Sequence, residues 1–245
     1  MFSGFSAGLI AFGAGLIPAL VWLIFWLFED IRRPEPRRLV IRTFFVGMAA
    51  VLVVLPLEKM AIDTGLPVGL PLLFIWAAIE EITKLVLAFI FILRSSAVDE
   101  PIDLPIYFIS IALGFAALEN TLFLWTPITD GKLLESIVTG NLRFIGASLI
   151  HVLSSAVVGG ALAFAFYRER MTKFWFGTIG VILAISLHAV FNFLIITTGA
   201  SRILTVFLGV WVGIVFLLLA LERVKAMRRP AWWEKTFMKR KSYNR

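Results

Sequence analysis

The amino-acid sequence predicts an all-α fold, a polytopic transmembrane helical bundle of about seven spans. Two observations predict it. Of the 245 residues, 60% are hydrophobic, and the mean hydropathy is +0.94. The apolar residues also gather in long blocks, with the charged residues collected between them. A helical block of roughly 20 apolar residues crosses a hydrocarbon core about 30 Å thick. Backbone N–H and C=O groups cannot face lipid unpaired, so a span is either a helix or part of a closed barrel. Blocks this long exclude the short alternating strands of a barrel. The chain has no cysteine, which excludes disulfides and thiolate metal sites.

The expected spans cover residues 5–28, 39–57, 68–93, 104–125, 143–167, 174–197 and 203–221. The first lacks a basic segment before it and has charges after it, so it reads as a retained span rather than a cleaved signal. The third carries Glu80, Glu81 and Lys84 in mid-span, and the fourth carries Glu119 and Asn120. The fifth is rich in small residues (Gly146, Ala147, Ser154, Ser155, Gly159, Gly160), which let neighbouring helices approach closely. Pro18 and Pro71 are places where a helix breaks readily. No internal repeat is apparent, which gives an inverted-repeat transporter no support. The expected organisation is one transmembrane bundle over residues 1–221, with the site helices in 68–197. A basic juxtamembrane tail follows over 222–245.

The net charge of +7 would suit nucleic acid, but its distribution argues against that partner. The basic residues lie between spans and in the tail. Arg32, Arg33, Arg37, Arg38, Arg94, Arg168, Arg170, Lys173 and the tail residues from Arg223 to Arg245 fall on one side if the spans alternate. The other side has Lys59, Lys132, Arg202 and Arg143. The positive-inside rule then places the N-terminus outside and the C-terminus in the cytoplasm. A multi-pass protein of the cell membrane is expected, with the basic tail near anionic lipid headgroups. Trp232 and Trp233 suit a tail segment lying at headgroup level. Arg42 and Glu29 fall close enough to the cytoplasmic boundary to snorkel.

Ionisable groups in mid-span cost about 2.5–3.5 kcal/mol on insertion scales, so they usually face a bundle interior and serve a function. Glu80 and Lys84 share a helix face, while Glu81 is turned about 100° away. Lys84 can neutralise one acid and leave the other as a base or ligand. The chain has two histidines, and both fall in spans: His151 with Ser155 one turn on, and His188 with Asn192 one turn on. Imidazole is the side chain best suited to metal binding and proton transfer near neutral pH. Counting from the predicted outer ends, Glu119 and His151 lie roughly 10 Å deep, and Glu80 and His188 roughly 13–18 Å deep. Such depths allow one shared site in the outer half of the bilayer.

The ordered set Glu80-Glu81-x-x-Lys84, Phe115-x-x-x-Glu119, His151-x-x-x-Ser155 and His188-x-x-x-Asn192 resembles the PrsW family of intramembrane proteases. That family is related to the CAAX prenyl endopeptidases and bacteriocin-processing membrane proteases. The resemblance implies hydrolysis of a peptide bond near the extracytoplasmic side of a membrane-protein substrate, such as site-1 cleavage of an anti-sigma factor. It implies Glu80 and Glu81 as general base, with Asn192 orienting His188 or donating to the oxyanion. It implies Glu119, His151 and His188 as metal ligands or water activators, supported by Lys84, Asn120 and Ser155. Two histidines and a carboxylate suit zinc with an open position for water. A metal-free glutamate mechanism stays open beside it, because the helices lack a His-Glu-x-x-His pattern. Glu119 also stands where the CAAX-type relatives have histidine. The competing expectation is a proton- or cation-coupled transporter that uses the same cluster as a relay.

Overall fold

A computed structural model describes residues 4–28, 35–198 and 202–233. Glu29, Arg32, Arg33 and the tail bases from Lys235 onward lie outside the described residues. The expected elements appear as helices α1 (Gly4–Leu27), α2 (Arg37–Asp63), α3 (Leu70–Phe91), α4 (Asp103–Thr129), α5 (Leu133–Leu142), α6 (Ser148–Phe164), α7 (Arg170–Thr198) and α8 (Ile203–Lys225). A single π-helical turn, Arg143–Ala147, joins α5 to α6. No strand occurs among the described residues.

Among the described residues, six helices are long and apolar enough to cross a membrane: α1, α2, α4, the continuous run Leu133–Phe164, α7 and α8. The seventh expected span, α3, has 22 residues, and its Glu80, Glu81 and Lys84 separate it from the others by composition. Its length at 1.5 Å per residue, about 33 Å, still matches the hydrocarbon thickness. Pro71 sits in the first turn of α3, where its missing N–H has no helical partner to lose. Pro18 does not break α1, which continues through it.

The centre of the bundle is α4. It is buried along nearly all of its length, with α1, α2 and α6 packed around it. The α2–α4 crossing is close because each helix presents a glycine to the other's backbone. A Cβ on Gly47 would collide with the Ile111 carbonyl, and one on Gly114 with the Phe44 carbonyl. Of the small residues expected to pack in the fifth span, Gly159 faces the Pro105 backbone, where a Cβ would come within 2.7 Å. Gly160 has open space beside it. The helices α3 and α7 pack on each other and on the flank of α6, so α3, α4, α6 and α7 surround one interior volume. That volume holds the mid-span polar residues.

The described part of the tail folds back on the bundle. Arg229 pairs with Glu100 at 2.6 Å. The Trp233 ring packs on Phe166 and Tyr167 with centroids 5.4 and 5.5 Å away, while Trp232 is exposed. One indole of the expected interfacial pair is therefore taken up by the protein, and the other faces outward.

Candidate active site

Seven of the nine residues singled out by sequence join one hydrogen-bonded network, and Phe115 packs against it. Glu80, Glu81 and Lys84 from α3, Asn120 from α4, His151 and Ser155 from α6, and His188 from α7 are buried. Glu119 of α4 is 21% exposed at its side chain and closes one end of the cluster. Asn192 lies one turn beyond His188 on α7, half-buried.

The adjacent glutamates have different surroundings because the helix turns them apart. Glu81 is saturated. Its Oε1 accepts from the Lys84 ammonium at 2.8 Å and lies 3.0 Å from His188 Nδ1, and its Oε2 accepts from the Ser155 hydroxyl at 3.3 Å. Glu80 is the opposite case. Its buried Oε2 receives no hydrogen-bond donor, yet it lies 3.6 Å from Lys84 Nζ, 3.7 Å from His151 Nδ1 and 3.9 Å from His188 Nε2. A buried charged oxygen without a donor is costly, and such atoms concentrate where chemistry needs them.

The partners of each imidazole indicate its tautomer. Nε2 of His151 is 3.0 Å from a Glu119 carboxylate oxygen, so Nε2 carries the hydrogen and donates it. Nδ1 then presents its lone pair, 3.1 Å from Lys84 Nζ. In His188 Nδ1 donates to Glu81, which in the neutral ring leaves the Nε2 lone pair facing Glu80. Two imine nitrogens and one free carboxylate oxygen thus converge, each imidazole braced from behind by a carboxylate. Carboxylate–histidine bracing of this kind is what orients metal-binding imidazoles. Ligand atoms of Glu80, Glu81, His151 and His188 all lie within 4.8 Å of one another.

Phe115 has a physical role in its motif. Lys84 Nζ sits 4.3 Å from its ring centroid, and the His151 ring packs on it at 5.2 Å. The aromatic face therefore fixes both the ammonium and the imidazole. The two imidazoles meet edge to face at 4.8 Å.

Two residues that sequence reasoning left outside the site belong beside it. Glu58, near the end of α2, makes carboxyl-to-carboxyl contact with Glu80. It falls just past the expected span 39–57, whereas α2 continues to Asp63. Arg143, in the π turn, pairs with Glu119 and donates from Nε to Asn120 Oδ1 at 2.5 Å. Its guanidinium also lies 3.9 Å from the Phe123 ring centroid. Glu119 is therefore held between Arg143 and His151 rather than directed at the point where the imine lone pairs meet.

A family model described as PrsW family intramembrane metalloprotease matches residues 35–221. The chain belongs to the PrsW family. Protease PrsW of Geobacillus kaustophilus (strain HTA426) is 29% identical over 189 residues, covering 75% of this chain and 78% of that one. Protease PrsW of Shouchella clausii (strain KSM-K16) is 26% identical over 189 residues, covering 76% and 83%. Protease PrsW of Bacillus subtilis (strain 168) is 24% identical over 187 residues, covering 74% and 81%. No solved structure matches the chain. Family membership makes the chain a hydrolase of the intramembrane metalloprotease type and a multi-pass membrane protein, as the four motifs led us to expect. The matched region begins after α1, although α1 packs along α4 in this bundle.

Proposed function

We propose that this family member cleaves a single-span membrane protein near the extracytoplasmic face, with Glu80 as the general base. The observation that carries the reading is the Glu80 carboxylate oxygen, buried without a donor and turned toward two imine nitrogens. Glu81 has three donors on it and serves to hold Lys84, Ser155 and His188. Division of labour between the two acids follows from that difference.

The donor set fits a divalent metal, and zinc suits two imidazoles and a carboxylate best. His151 through Nδ1, His188 through Nε2 and one Glu80 oxygen are the groups that would hold it, leaving the second Glu80 oxygen to take the proton. Glu119 and Glu81 would act behind the imidazoles. When bound, such a metal polarises a carbonyl and acidifies water. The chain's own groups do the rest. Glu80 receives the proton of the attacking water at its carboxylate, with the Glu58 carboxyl next to it, and returns it to the leaving amine. Asn192, one turn on from His188 on the same helix face, would donate its amide N–H to the oxygen of the tetrahedral intermediate.

The seven-span arrangement with α3 inserted, the N-terminus outside and the tail in the cytoplasm is part of the same reading. It is supported by the exposed bases Arg37, Arg38, Arg168, Arg223 and Arg228, which fall on one side under alternation. With that topology the cluster lies in the outer half of the bilayer. The outer boundary of a substrate span, as in site-1 cleavage of an anti-sigma factor, is then within reach. The basic end of α8 and the tail would meet anionic headgroups.

The test is cleavage of a single-span substrate by purified protein in liposomes, with Glu80→Gln and a chelator arm in parallel. Cut ends mapping to the outer boundary, lost in Glu80→Gln and restored by zinc after chelation, are expected. Turnover by Glu80→Gln at the wild-type rate would sink the assignment of the base, and turnover unaffected by chelation would sink the metal.

A further inference from the structure

The polar network continues past the motif residues into the π turn, and there it meets a residue with no assigned role. Arg143 forms an ion pair with Glu119 and a hydrogen bond with the neighbouring Asn120. Asn120 in turn donates from Nδ2 to the Ser148 hydroxyl at 3.1 Å, in the first turn of α6. Glu119 accepts from His151 Nε2 at 3.0 Å. The chain of contacts therefore runs from Arg143 through Glu119 to the imidazole, and every member but Arg143 and Glu119 is buried. The Arg143 side chain is only 14% exposed.

Helix geometry explains why this contact needs the π turn. In an uninterrupted α-helix, eight residues at about 100° each would put Arg143 roughly 80° round the axis from His151. A π turn takes in one residue more than an α turn, and here the Ser148 N–H bonds the Arg143 carbonyl, five residues back. The extra residue brings Arg143 back to within about 20° of the His151 face. Both side chains can then reach the same carboxylate on α4. Single π turns inside helices recur at functional sites for this kind of re-aiming.

We propose that Arg143 is a positioning residue for the peptidase reaction. It fixes the Glu119 carboxylate, which holds His151 with its hydrogen on Nε2 and its Nδ1 lone pair toward the Lys84 ammonium, beside Glu80. The proposal rests on the reading of Glu80 and the two imidazoles given above. It also explains how an acid can stand at Glu119: a fixed cation opposite keeps a carboxylate there instead of leaving a lone charge.

The test pairs kinetics with histidine spectroscopy, since the chain holds two histidines and His188→Gln assigns the signals. Arg143→Gln is expected to lower kcat about 10–100-fold, the usual cost of losing a group behind an active imidazole, with KM nearly unchanged. Nitrogen-15 spectra of metal-free, histidine-labelled protein should show His151 protonated on Nε2 in the wild type and a mixture of tautomers in Arg143→Gln. Arg143→Lys keeps the charge but replaces the guanidinium fork with one ammonium, so about a tenfold loss in kcat is expected. An Arg143→Gln enzyme with wild-type kcat, or one with reduced kcat and an unaltered His151 signal, overturns the proposal. Should Arg143→Gln fail to fold, wild-type behaviour of Arg143→Lys in both readouts overturns it. If no variant or wild type cleaves any substrate while the His151 signal still follows Arg143, the peptidase reading fails and the positioning stands.

Discussion

The bundle contains two knots of charge, one in mid-bundle and one at the start of α4, and they are built on different terms. At the start of α4, Asp103 Oδ2 accepts from the backbone N–H groups of Asp99 and Glu100 at 2.7 and 2.6 Å. The Tyr107 hydroxyl bonds Glu35, and Arg229 pairs with Glu100. These charges tie a loop, a helix start and the tail together, and no atom among them is buried without a partner. In mid-bundle, among the described residues, a Glu80 oxygen is the one carboxyl oxygen buried with no hydrogen-bond partner. The proposal of Glu80 as the base rests on that difference between acids satisfied at one end and one oxygen left bare at the centre.

Four substitutions would break or sharpen the contrast. Glu80→Gln should remove nearly all turnover, a loss of at least about 10²–10⁴-fold as for a general base, with little change in thermal unfolding. Loss of fold instead would make Glu80 structural, like Asp103. Lys84→Met should do the reverse of sparing the fold, because it leaves Glu81 buried without its cation. Breaking a buried pair costs about 3–5 kcal/mol, which denaturation in detergent would read. Asp103→Ala should cost about 1–3 kcal/mol from the two lost backbone bonds, with turnover unchanged in the folded fraction. The smallest effect is expected for Arg229→Ala, about 0.2–1 kcal/mol for a partly exposed ion pair, visible as faster proteolysis of the tail.

Much of the central knot was legible in the sequence because charge inside an apolar block is conspicuous. Glu80, Glu81, Lys84, His151 and His188 announced themselves by being in spans at all, and their helical spacing put Ser155 and Asn192 beside them. Glu58 and Arg143 escaped for the converse reason. They stand at the edges of apolar blocks, where a charge is ordinary and reads as wet. What composition cannot convey is helix phase. The π turn shifts Arg143 by one residue's rotation, an offset that leaves no trace in hydropathy. The separate fates of Glu80 and Glu81 likewise depend on which neighbours each meets after packing, and adjacent identical residues carry no such information. The expected fifth span begins at 143, whereas the helical run starts at Leu133, ten residues earlier and with Glu135 in its first turn.

The burial of α4 has a further consequence for timing. Helices α1, α2 and α6 pack around it, and the Gly47 and Gly114 contacts leave no slack between its backbone and that of α2. Its amides would exchange with deuterium only when the whole bundle opens, whereas α5, with no buried residue, would exchange early. Deuterium uptake should therefore resolve the molecule into a slow post carrying Glu119 and Asn120 and a fast outer flap leading into the turn that holds Arg143. The slow post would then hold the carboxylate behind His151, and the fast segment would lead into the turn whose Arg143 pairs with that carboxylate.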